Sequence, residues 1–334
     1  GDDLWGMLTA WPSSFVASLL AFKPELAMKK TSLTMDEIGS SRCKTLFDVL
    51  VDEKKKDATV ALLNQVRDMA SDSVSQALLD TLMKRGENQS YLQYMASRHI
   101  LGQEIICALI EVIAKHRPEH FSVRLGPEGQ NQSLLDVMID FSLATPRYHE
   151  RAFHVSRVAI LLDVIKAMAE VQPEALALRY SDDQKLPLHR MLEVDGGLGC
   201  DAIIALIEGY KAHHPELLSE TDVDGNTALH LVVRGCNDWR GYVTTESDAL
   251  LNAVIEVCPE LLWQTNNAGR TPAQALLMRG SLNAAGTQML RRLLNNGMTK
   301  ANALSLLQDQ NKININKSNF KLLALVKLGD LMIF

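Results

Sequence analysis

Six short segments, each opening a run of apolar residues at helical spacing, recur along the chain and limit what it can fold into. They are Thr45 to Leu50 (TLFDVL), Ser90 to Met95 (SYLQYM), Ser133 to Met138 (SLLDVM), Leu186 to Met191 (LPLHRM), Thr227 to Val232 (TALHLV) and Thr271 to Leu276 (TPAQAL). Their first residues lie 45, 43, 53, 41 and 44 positions apart. A second marker keeps the same phase: Pro-Glu at Pro24, Pro118, Pro173, Pro215 and Pro259 stands each time before the turn that leads into one of these segments, and a sixth, at Pro127, stands within such a turn. Two independent markers in one phase indicate a repeated structural unit that grows by stacking, so a length of 334 residues does not by itself imply two compact domains.

The clearest copy is Thr221 to Gly235, TDVDGNTALHLVVRG. Asp224-Gly225 predicts a tight turn, because glycine takes positive φ cheaply. Asn226 or Thr227 then caps a helix through Leu229, Val232 and Val233. Upstream, Ala202, Leu206 and Ile207 form the apolar stripe of another helix, which stops at His214-Pro215-Glu216-Leu217-Leu218. The unit is helix, stop, turn, helix. The stretch Thr227-Ala-Leu-His-Leu-Val232 resembles the T-P-L-H-x-A signature of the ankyrin repeat. That resemblance extends over about Val158 to Gly280, is weaker around Ser133 and weakest before Leu101. The chain departs from the family in its long period and its Pro-Glu-Leu-Leu stops. A further departure is the stretch Ser73 to Lys84, which reads as an extra helix where a hairpin should stand. The excess length falls in long outer helices and in insertions such as Cys236 to Glu246 and Ala144 to Arg151.

The expected fold is therefore all-α: an ankyrin-like helical solenoid of about six helix-turn-helix repeats, with short hairpin turns and a helical C-terminal cap. Residues 1–100 read as divergent repeats with the extra helix, 101–296 as the repeat array, and 297–334 as the cap or the start of a further domain. Aromatic residues make up only 5% of the chain, which with its abundance of Leu, Ala and Met favours helix over strand. A net charge of −6 argues against a general phosphate-binding surface, and acids surround Lys54-Lys55-Lys56, the one basic run, so no nucleic-acid partner is expected. The five cysteines are scattered without a CxxC pair, which fits a reducing, cytoplasmic setting rather than a disulfide framework. No apolar run approaches the ~20 residues needed to span a bilayer.

The chemistry-bearing residues mostly admit structural readings. His189 and His230 stand where the ankyrin resemblance implies histidines that hydrogen-bond within and between neighbouring turns. Gly196 to Gly199 before Cys200 lacks the spacing and preceding strand of a phosphate-binding loop. His149 and His154 do not make HExxH, and Asp222 with Asp224 lacks the rest of a calcium loop. No catalytic, cofactor-binding or metal-binding residue is expected. In an ankyrin-like stack the turn tips and the exposed faces of the inner helices form the binding surface. By position these residues are Asp182, Lys185 and Arg190, then Asp222, Asp224 and Asn226, then Asn266, Asn267 and Arg270. Trp239, Arg240 and Tyr242 in the 236–246 insertion join them as residue types enriched at binding hot spots. The expected function is a non-enzymatic scaffold or adaptor for another protein. The alternative is a bacterial effector, acting in host cytoplasm, or a regulatory enzyme fragment whose site lies in the irregular N-terminal or C-terminal region.

Overall fold

The computed structural model describes residues 11–12, 15–16, 19, 56–69, 79, 103–124, 132–143, 151–180, 184–193, 200–235, 245–278 and 284–297. Among the described residues all regular structure is helical, apart from isolated bridge residues at Gln132 and at the antiparallel pair Thr221 and Thr227. The anchors at Thr45 and Ser90, the extra helix at 73–84 apart from Leu79, and the cap beyond 297 lie outside them. Contacts divide the chain into two units at 182/183, inside the stretch 101–296 that the sequence reading treats as one array.

In the first unit, α1 (Lys56–Asp68) packs on α2 (Gln103–His116), and α2 and α3 (Leu134–Leu143) both pack on α4 (Arg151–Val171). α1 buries Ala58, Thr59, Leu62, Leu63 and Val66, the i, i+3, i+4 stripe of an amphipathic helix. Its last turn is held from α2: Lys115 Nζ donates to the Arg67 carbonyl at 2.5 Å, and His116 Nε2 lies 2.9 Å from the Val66 carbonyl. These groups satisfy carbonyls that a helix end leaves without partners, and a cation there favours the helix dipole.

The second unit holds α5 (Pro187–Glu193), α6 (Cys200–His213), α7 (Ala228–Gly235), α8 (Thr245–Val257), α9 (Pro272–Met278) and α10 (Ala284–Gly297). The short helices pack in sequence, α5 on α7 and α7 on α9, while the long helix α6 packs on α8. Leu188, Leu229, Leu231, Leu251, Leu276 and Leu277 are each at most 1% exposed along these contacts.

The Pro-Glu dipeptides are structural elements and not simple stops. Each of the four among the described residues opens a 3-10 turn, Pro118–Phe121, Pro173–Ala177, Pro215–Ser219 and Pro259–Leu262, while Pro24 lies outside those residues. The hydrogen bonding repeats in all four. The residue before proline donates its amide to the carbonyl four back, Arg117 to Ile113, Gln172 to Met168, His214 to Tyr210 and Cys258 to Val254, at 2.7–3.0 Å. Its own carbonyl then accepts from the amide two residues beyond proline, as from Leu217 to His214 at 3.0 Å. Proline cannot donate and disfavours helix in the residue before it, so the α-helix must end there and the chain tightens into one more turn. That turn drops an apolar side chain into the core: Phe121, Leu176 and Leu261 are fully buried and Leu218 is 4% exposed.

Candidate binding surface at the 221–227 and 266–271 turns

Four of the six anchors lie among the described residues, and each begins a helix in the same way. The carbonyls of Ser133, Leu186, Thr227 and Thr271 accept from the amides of Val137, Arg190, Leu231 and Ala275 at 2.8–3.2 Å. At two of them the capping residue and the residue three later exchange hydrogen bonds, the reciprocal arrangement of a capping box, and at a third both contacts meet at one ring nitrogen. Ser133 N–H donates to Asp136 Oδ2 at 2.9 Å while Asp136 N–H donates to Ser133 Oγ at 3.1 Å. Thr271 N–H donates to Gln274 Oε1 at 2.8 Å, and Gln274 N–H to Thr271 Oγ1 at 3.4 Å. At the third, Thr227 N–H donates to His230 Nδ1 at 3.2 Å and Thr227 Oγ1 lies 2.9 Å from the same nitrogen.

Because His230 Nδ1 accepts, its proton is on Nε2, which donates to the Arg270 carbonyl at 2.8 Å. Both ring nitrogens are engaged, and burial holds the pKa below the ordinary 6.5. The imidazole is a neutral strut between consecutive turns. His189 makes the corresponding cross-turn contact, Nε2 to the Glu220 carbonyl at 3.2 Å, and burial lowers its pKa also. Position 186 is leucine, so no hydroxyl faces His189, and its buried Nδ1 has no hydrogen-bond partner. Asp136 occupies the same place in the first unit. Desolvation raises its pKa to about 6 against the opposing Ser133 hydrogen bonds.

The turn preceding α7 is built on Asp222. Its Oδ1 accepts from the amides of Asp224 at 2.9 Å and Asn226 at 2.7 Å, and its Oδ2 from the Asn226 side chain at 3.0 Å. Gly225 takes φ +74°, as the Asp-Gly pair predicts. Asn266 plays the same part before α9, its Oδ1 accepting from the amides of Ala268 and Arg270 at 3.1 Å, with Gly269 at φ +70°. The two turns are then tied together. Asn266 Nδ2 donates to Asn226 Oδ1 at 3.0 Å, the Asn267 amide to the Asp224 carbonyl at 3.0 Å, and Asn267 Nδ2 to the Val223 carbonyl at 3.1 Å.

The structure thus brings together six of the residues singled out from the sequence: Asp222, Asp224, Asn226, Asn266, Asn267 and Arg270. It also assigns them different duties. Asp222 is 8% exposed with its carboxylate fully used inside the turn, and Asn226 and Asn266 form the rung between turns. Asp224 and Val223 are exposed at the tip, Val223 to 71%. Lys185 makes a 2.8 Å ion pair with Glu193, both only 16% exposed, so its charge is internally compensated. Arg190 lies half-buried on α5. Asp182, Trp239, Arg240 and Tyr242 lie outside the described residues.

Beside the tied turns, between α7 and α9, is a cleft of about 230 Å³. Of its lining, Asn226, Asn266 and Arg270 were named from the sequence as binding residues, whereas Arg234, one helical turn beyond His230, and Val233 and Met278 were not. The 3.6-residue period places Arg234 beside His230, so extending the inner-helix face by one turn would have found it. Among the described residues no group of three His, Cys, Asp or Glu side chains is arranged to hold a metal ion, and no helix is long and apolar enough to cross a membrane. No family model, curated protein or solved structure matches the chain.

Proposed function

We propose that the chain is a non-enzymatic interaction scaffold, made of about six ankyrin-like helix-turn-helix repeats, that recognises another protein through its turn tips and inner-helix face. The observation that supports this is the cross-bracing of the 221–227 and 266–271 turns. Side-chain and backbone bonds between residues 40 or 44 positions apart hold two exposed loops in one geometry. A surface fixed before it meets a partner loses less conformational entropy on binding, which is the main benefit of preorganisation. The titratable groups at the turns serve this bracing: His230 is held neutral and Asp222 is saturated.

The test is cross-linking affinity capture from eukaryotic cell lysate with the intact chain and with Val223→Asp combined with Asp224→Lys. Both side chains are exposed and neither carries a bracing bond through its own atoms, so the fold is expected to persist. Loss of the captured protein with the double variant, at unchanged melting temperature, is the expected result. A capture set identical for both proteins removes the turn tips from the interaction.

A further inference from the structure

The cleft between α7 and α9 is lined, among the described residues, by two arginines, Arg234 and Arg270, and by no carboxylate, on a chain whose net charge is −6. Arg270 contributes to the fold through its backbone alone. Its amide donates to Asn266 Oδ1 and its carbonyl accepts from His230 and Asn266, while its guanidinium has no hydrogen-bond or ion-pair partner among the described residues. Asp222, in the adjoining turn, directs its carboxylate to the Asp224 and Asn226 amides and the Asn226 side chain. The other wall is apolar, Ala275 and Met278 being partly exposed at the mouth over a buried Leu276. At about 230 Å³ the cleft is smaller than the roughly 300–1,000 Å³ of small-molecule sites, a size suited to one or two side chains of a peptide.

We propose that this cleft, under the scaffold reading above, takes a partner segment that pairs an apolar side chain with an aspartate or glutamate. The apolar group enters beside Met278, and the carboxylate meets the Arg270 guanidinium. An arginine fork is suited to a carboxylate because two parallel N–H donors match its two oxygens. The Asn226 to Asn266 rung and the His230 strut keep the wall in place before the peptide arrives.

The experiment is selection of a displayed library of random dodecapeptides on the intact chain, followed by anisotropy titration of the enriched peptides against the intact chain and Arg270→Gln. Enrichment of sequences pairing an apolar residue with a nearby Asp or Glu, with affinity falling about tenfold in Arg270→Gln and on replacing the peptide acid by its amide, is the expected outcome. No enrichment, enrichment without an acid, or equal affinity in Arg270→Gln overturns it. A single-stranded oligonucleotide binding Arg270-dependently and more tightly than the peptides overturns it in favour of phosphate recognition. Arg270→Gln leaves every bracing bond intact, so its melting temperature serves as the folding control. If the lysate partner is lost with the turn-tip double variant but kept by Arg270→Gln, the scaffold reading stands and this inference alone fails.

Discussion

At the scale of single residues, the position three after each capping residue does the same work with different chemistry: Asp136, His230 and Gln274 all accept from the capping amide. His230→Gln should therefore cost under about 1 kcal/mol, whereas His230→Leu, which leaves the buried Thr227 amide and the part-buried Arg270 carbonyl without this partner, should cost about 2 kcal/mol or more in urea unfolding. The same groups set the acid response. Burial keeps the folded pKa of His189 and His230 below 6.5, so as pH falls through 6.5 the unfolded chain takes up protons that the folded chain refuses, and stability is lost from there towards the folded values. Asp136 acts in the opposite sense: its folded value of about 6 exceeds the ordinary 3.8, so its burial is a cost at neutral pH that is relieved between about 6 and 3.8. Its second oxygen, Oδ1, is buried without a hydrogen-bond partner. Of the groups that bear on it, Arg124 favours the ionised form and Asp140 opposes it. Asp136→Asn should raise stability at neutral pH, and the gain should vanish as the wild-type carboxyl protonates. His230→Gln should flatten the acid limb of the stability curve. Urea midpoints across the pH range read both, and a neutral-pH loss in Asp136→Asn would contradict the burial argument.

At the scale of elements, the two turn glycines provide an internal comparison. Both need positive φ, but a Cβ on Gly225 would come within 2.7 Å of the Asn267 backbone nitrogen, while one on Gly269 meets open space. Gly269→Ala should cost about 1 kcal/mol for its backbone conformation. Gly225→Ala should cost at least about twice that, because it also pushes the two turns apart. Amide exchange should then quicken at Asn267, whose N–H donates to the Asp224 carbonyl; equal losses for the two variants would mean that the turns are not coupled.

Much of this level was legible in the sequence. Asp224-Gly225 predicted the tight turn and placed the cap at Asn226 or Thr227, because local chemistry alone decides those features. Less could be read where the decision is made across space. Pro215 announces that the helix ends, but whether the chain then coils into a 3-10 turn depends on a pocket for Leu218 that other segments supply. Asp222 looked like an exposed recognition residue, since its type and turn position suggest solvent. Its burial follows from three internal donors that no spacing rule reveals.

At the scale of the whole chain, the strongest prediction concerns how damage spreads. In a stack of small units each element depends chiefly on its neighbours, so a core lesson should be local and directional. Leu229 is fully buried on α7, which packs against both α5 and α9. Leu229→Ala should cost about 2–5 kcal/mol in the second unit. Hydrogen exchange should rise first in the 266–271 turn and α9, while α1 and α2 in the first unit keep their protection. Uniform loss of protection throughout the chain would indicate one cooperative body instead. The helix starts at Ser133, Leu186, Thr227 and Thr271 and the helix ends before Pro118, Pro173, Pro215 and Pro259 were legible because both are set locally. The division at 182/183 was not, since it reflects which surfaces meet and not which residues follow one another.

The interchangeable partner of the capping residue has one more implication. A socket that accepts an imidazole, a carboxylate or an amide without changing its shape separates geometry from titration. Exchanging Asp136, His230 and Gln274 among their sites would let an engineer choose, joint by joint, whether a turn loosens in acid, tightens in acid or ignores it, with the backbone left as it is.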